Sequence, residues 1–73
     1  MEKTVISTSK APGAIGPYSQ GWTAGDLGFT SGQIPVDPAT GAIPDTIAAQ
    51  AEQSCKNVLA VLEAGATTAE NVV

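Results

Sequence analysis

Seventy-three residues make one domain at most, and a lone core of that size supplies only about 3–5 kcal/mol of net stability. The apolar fraction is 42%, but much of it is Ala and only 4% of residues are aromatic, so the chain is expected to need a partner or further chain around it. Seven acids against Lys3, Lys10 and Lys56 leave a net charge of −4, which excludes nucleic acid and anionic membrane as expected partners, since both are held mainly by Lys and Arg.

Thr4 to Thr8 is rich in β-branched residues and predicts a first strand. Ala11 to Pro17 carries two prolines and two glycines and reads as a loop of restricted shape. Gln20 to Ala24 predicts a second strand, with Trp22 on one face and Gly21 and Thr23 on the other. Gly25-Asp26 is a hairpin turn in reverse of the preferred Asp-Gly order. Leu27 to Ile34 predicts a third strand, in which Leu27, Phe29, Ser31 and Gln33 share one face. Pro35 to Pro44 is a loop with a strong turn signal at Asp37-Pro38-Ala39-Thr40-Gly41. Asp45 or Thr46 then caps a helix that runs to about Ala64 and stops at Gly65. Its apolar stripe is read as Ile47, Ala51, Cys55, Val58, Leu59 and Leu62. Glu52 and Lys56 form an i,i+4 pair on the wet face. Val72-Val73 reads as the opening of a fourth strand.

Two segments stand out as pocket wall: Gly16-Pro17-Tyr18-Ser19-Gln20 and Phe29-Thr30-Ser31-Gly32-Gln33-Ile34-Pro35. Each sets rigid turn residues beside polar side chains with little charge. Taken by pattern alone, Tyr18 is a half-buried aromatic on a rigid turn. Ser31 is a small strand residue, and Gly32 marks a bulge or close backbone packing. Trp22 reads as sheet packing or a subunit contact. Cys55, on the apolar stripe, reads as a buried and inert thiol; as the single cysteine it has no disulfide partner.

These segments, with Ser7-Thr8-Ser9-Lys10-Ala11-Pro12, Asp37 to Gly41, the helix around Gln50, Asn57 and Leu59, and Asn71-Val72-Val73, resemble the N-terminal part of the RidA (YjgF, L-PSP) family. The resemblance covers nearly the whole chain, and residues 1–73 read as the N-terminal part of a single domain of that kind. It implies an α+β fold like that of chorismate mutase: a mixed sheet with helices packed on one face, represented here by about three strands, one helix and the start of a fourth strand. It further implies a homotrimer with substrate sites between subunits, no metal or organic cofactor, and hydrolysis of reactive 2-imino acids to 2-keto acids and ammonia. Tyr18, Ser31 and Gly32 match family residues that line the substrate cleft. The family's carboxylate-binding Arg and water-positioning Glu match no residue of this chain, so its catalytic residues stay unassigned. Two departures are visible. Gly21-Trp22 replaces a more usual pair of small apolar residues, and Gly65 to Ala69 is shifted by one residue from the usual Ala-Ala-Gly pattern.

An imino acid sets an electrophilic C=N carbon beside a carboxylate. Its hydrolysis needs the carboxylate anchored, a water delivered and protons shuttled. Backbone N–H groups near Ser31-Gly32 are candidates for one carboxylate oxygen, and the Tyr18 hydroxyl is a candidate donor. No Arg is present to anchor the carboxylate bidentately, so the 73 residues alone are expected to be inactive on imino acids. Two alternatives stand: a small-ligand-binding or regulatory module of the same fold, and an RNA-cleaving or translation-inhibiting protein, which the acidic charge and absent His disfavour. The start Met1-Glu2-Lys3-Thr4 lacks a signal-peptide pattern, and no stretch approaches the about 20 apolar residues of a membrane helix, so the expected location is the cytoplasm.

Overall fold

Three short strands, β1 (Lys3–Ile6), β2 (Gly21–Ala24) and β3 (Leu27–Thr30), form an antiparallel meander in the order β1-β2-β3. One helix, α1 (Ile47–Ala64), and a 3-10 turn (Ala69–Asn71) follow. The structure is a computed structural model and describes residues 2–73. Its fold is α+β, as the resemblance implies. No described helix is long and apolar enough to cross a membrane.

The register sorts the side chains onto two faces. Val5, Trp22 and Phe29 lie opposite one another across the three strands, as do Lys3, Ala24 and Leu27. Ile6, Gly21 and Thr30 line up on the other face, which meets α1. The β2–β3 turn takes Gly25 at φ 59, while no non-glycine described residue except Ala66 has positive φ. Positive φ at the first central position alone is the type II′ pattern, which explains the Gly-Asp order. β3 is shorter than predicted. The Ser31 N–H still bonds the Gln20 carbonyl (2.9 Å), but the Ile34 and Val36 carbonyls are taken by Asn57 Nδ2 (3.0 and 2.9 Å). That side chain draws the segment off the sheet and onto the helix.

Of the two cap candidates, Thr46 is the one: its hydroxyl accepts the Ala49 N–H (3.2 Å). At the other end the Ala66 N–H bonds the Glu63 carbonyl and the Thr67 N–H bonds the Leu62 carbonyl, both at 3.0 Å. This is a Schellman closure with Ala66, at φ 63, in the left-handed position usually held by Gly. Gly65 stands one residue earlier, at φ −87. It serves proximity instead, since a Cβ there would lie 2.8 Å from Ile6 Cδ1. The Glu52–Lys56 pair forms as predicted, at 3.4 Å on the exposed face.

The buried face of α1 corrects the predicted stripe. Asn57 and Val61 are the helix's buried residues, each one residue before its predicted counterpart Val58 and Leu62, which are half-buried, while Ala51 and Cys55 are exposed beside half-buried Gln50 and Ser54. One residue is about 100° of helix rotation. Ile47 is 83% exposed and Cys55 is exposed, so Cys55 is not the buried thiol expected. The core is small: Ile6, Ala11 and Val61, with Ala60 beside them. Val72 is extended (φ −73, ψ 130) where the fourth strand was predicted to open, and it joins no ladder among the described residues.

Candidate functional site

Tyr18 sits on a three-residue turn. Its N–H bonds the Gly16 carbonyl at 2.8 Å around Pro17, whose ring fixes the φ that such a turn needs. The tyrosine ring leans over Gly16, where an added Cβ would lie 3.6 Å from Cδ2. Tyr18 is half-exposed and borders a groove of about 210 Å³. Ser7, Thr8 and Ser19 add hydroxyls to its wall and Val5 and Ile6 add apolar surface; no lining residue carries a charge.

Behind the groove lies Gln20, 4% exposed. Its Oε1 accepts the Thr8 N–H (2.7 Å), and its Nε2 donates to the carbonyls of Pro12 (2.8 Å), Thr8 (3.0 Å) and Ala11 (3.3 Å). One buried amide thus folds the 8–12 loop against β2. The Gln20 main-chain carbonyl reaches the other way and accepts both the N–H (2.9 Å) and the hydroxyl (3.1 Å) of Ser31. Asn57 plays the matching part on the helix. It is 1% exposed, donates to the Ile34 and Val36 carbonyls and accepts from Gln53 Nε2 at 2.9 Å.

Gly32 is exposed at the end of this arrangement. Its φ is not left-handed, and a Cβ there would meet nothing within 4 Å. Neither bulge nor close packing within the chain calls for glycine, so that reading is set aside. No hydrogen bond engages the Gly32 N–H among the described residues. Tyr18 lines the groove, whereas Ser31 and Gly32 do not. Within one chain the three candidates are therefore not gathered around one cavity, and Gln20 joins the two parts. A second cavity, about 610 Å³, lies between β3 and the end of α1 and holds none of the candidates.

Sequence reasoning did not single out Gln20 or Asn57 for a role. Asn57 had a signal, a poor helix former inside a run of good ones. Gln20 had a weaker one, a long amide entering a strand of small and apolar residues.

The sequence model of the family described as Endoribonuclease L-PSP matches residues 8–73. A RutC family protein of Haemophilus influenzae is 53% identical over all 73 residues, which span 56% of that relative. A Salmonella typhimurium protein named 2-iminobutanoate/2-iminopropanoate deaminase is 52% identical, again over the whole chain and 56% of the relative. The crystal structure of E. coli TdcF with bound serine superposes with a TM-score of 0.94 at 47% identity, covering 96% of this chain and 55% of that one. The chain thus spans little more than half the length of the proteins it matches.

Proposed function

The chain belongs to the RidA (YjgF, L-PSP) family, and from that premise we propose that the whole protein is a deaminase that hydrolyses 2-imino acids such as 2-iminobutanoate and 2-iminopropanoate. Water adds to the C=N carbon, the carbon–nitrogen bond breaks, and a 2-keto acid and ammonia leave. The observation that carries this reading is the 52% identity, over every residue of the chain, to a protein named for that activity. The solved relative that holds serine, an α-amino acid, supports a ligand of the same chemical family.

In this reading the chain supplies part of the site. The unengaged Gly32 N–H is a donor for one carboxylate oxygen. The Tyr18 hydroxyl is a second donor, and its ring closes the cleft. Bidentate anchoring of the carboxylate and activation of the water fall to groups outside these 73 residues, which contain no Arg. The separation of Tyr18 from Ser31-Gly32 supports a site assembled between subunits of a homotrimer, where one subunit's groove meets another's strand end. A cytoplasmic location goes with the same reading. The net charge of −4 on this part weighs against the endoribonuclease reading that the family description carries.

Gly32→Ala tests the reading in the intact protein. A methyl group there touches nothing in the chain, so the melting temperature is expected to stay put. Turnover of 2-iminobutanoate generated in solution, followed as ammonia release, is expected to fall about tenfold, as for about 1.4 kcal/mol of lost transition-state binding. Wild-type protein without imine turnover, or a variant as active as wild type, sinks it.

A further inference from the structure

Residues 8–18 follow β1 with no strand or helix among them. Among the described residues, every hydrogen bond that ties this segment to the rest of the chain ends on the side chain of Gln20. The Thr8 N–H donates to Oε1, and Nε2 donates to the carbonyls of Thr8, Ala11 and Pro12. The other bonds of the segment, from the Lys10 N–H to the Thr8 hydroxyl and from the Tyr18 N–H to the Gly16 carbonyl, stay inside it. Packing adds one anchor, the buried Ala11. Only an amide serves here, since an ammonium is donor-only and a carboxylate acceptor-only. The groove beside Tyr18 depends on the same side chain. Of its lining residues, Thr8 is bonded to Gln20, Gly13 and Ala14 follow the Pro12 that is, and Tyr18 and Ser19 directly precede Gln20 in the chain.

Resting on the deaminase reading above, in which Tyr18 lines the cleft, we infer that Gln20 is a positioning residue: by holding the 8–18 segment on β2 it fixes where the Tyr18 hydroxyl stands against the substrate. Its own amide is buried with both donors committed, so it acts through Tyr18 rather than on a ligand. Removing the amide deletes no contact to substrate. It lets the segment that carries Tyr18 wander, and a small error of placement falls on the chemical step more than on binding. Gln20 and Tyr18 then work as one unit, and the effects of changing them do not multiply.

The test uses the intact protein and its Gln20→Met, Tyr18→Phe and double variants, with two readouts. The first is trypsin cleavage after Lys10, an exposed residue inside the segment, followed by mass spectrometry. It needs no substrate and is expected to run at least about tenfold faster in Gln20→Met, because the clamp against local opening is gone. The second is turnover of 2-iminobutanoate generated in solution. In Gln20→Met kcat is expected to fall about tenfold with KM moved far less. The double variant is expected to be no slower than the slower single one. Gln20→Glu, which keeps the Thr8 bond and the size, is expected to shift both readouts in the same direction and guards against a Gln20→Met protein that fails to fold. Unchanged cleavage after Lys10 overturns the clamp. Faster cleavage with unchanged kcat, or losses that multiply in the double variant, leaves Gln20 a purely structural residue and overturns the inference while the deaminase reading stands. Wild-type protein without imine turnover removes both.

Discussion

At the scale of single residues, the candidate site is organised by an amide that touches no ligand. Gln20 uses Oε1 once and Nε2 three times to hold the 8–12 loop, and its backbone carbonyl holds Ser31. Gln20→Glu separates the donor from everything else, because it keeps size and the acceptor for the Thr8 N–H. The new carboxylate then faces three carbonyl oxygens with no proton to share, at a position 4% exposed. Loss of about 2–4 kcal/mol is expected from a buried polar group deprived of its partners. The urea midpoint of the intact protein at neutral pH reads it, and a midpoint at the wild-type value would remove Gln20 from this role. Tyr18, Ser31 and Gly32 were legible as motif members, since turn chemistry and resemblance point at them. What was not legible is that the Ser31 proton is already spent, because the direction of a hydrogen bond leaves no periodic trace in a sequence.

At the scale of elements, two glycines set how closely the helix approaches the sheet. A Cβ at Gly21 would stand 2.6 Å from the Phe29 carbonyl oxygen, which is backbone and cannot step aside. A Cβ at Gly65 would stand 2.8 Å from Ile6 Cδ1, the movable end of a side chain. Gly21→Ala is therefore expected to cost about 2–3 kcal/mol and Gly65→Ala less, as overpacking does when the neighbour can or cannot yield. Thermal unfolding of both variants gives the order directly, and the reverse order would mean that β2 and β3 can part more easily than Ile6 can rotate. Ala66→Gly acts in the other direction. It relieves a left-handed alanine at φ 63 and is expected to stabilise by about 0.5–1 kcal/mol, seen as a raised melting temperature. The one-residue shift of the Gly65 to Ala69 segment was visible in the sequence, and its physical meaning is this division of labour: Gly65 gives proximity and Ala66 takes the strained angle. Strand order, hairpin and helix limits were legible because β-branched runs, turn residues and caps are local signals. The rotation of α1 was not. An Ala-rich helix offers several apolar lines, and Asn57, reaching for the Ile34 and Val36 carbonyls, picks the one that faces inward.

At the scale of the molecule, three buried apolar side chains are a thin core beside what is left uncovered. Val5, Trp22 and Phe29 face each other across the strands, with Leu27 alongside, and are 48, 37, 56 and 59% exposed. Lys3 lies over the Trp22 ring at 5.3 Å and shields little of this row. An apolar row spanning a whole sheet face is a contact surface rather than a solvated one. In the homotrimer proposed above, this face is expected to lie between subunits. Phe29→Glu places a charge in the middle of the row without entering the core between sheet and helix. Sedimentation velocity on the intact wild-type protein is expected to give three times the protomer mass, and on Phe29→Glu the mass of one protomer. Deaminase turnover is expected to fall with assembly, by far more than the Gly32→Ala change, since a site shared between subunits is lost entire. A wild-type protomer mass would end the trimer reading. A Phe29→Glu protein that stays trimeric would move the contact to another face, and one that becomes monomeric yet keeps full turnover would show that each subunit holds a complete site of its own.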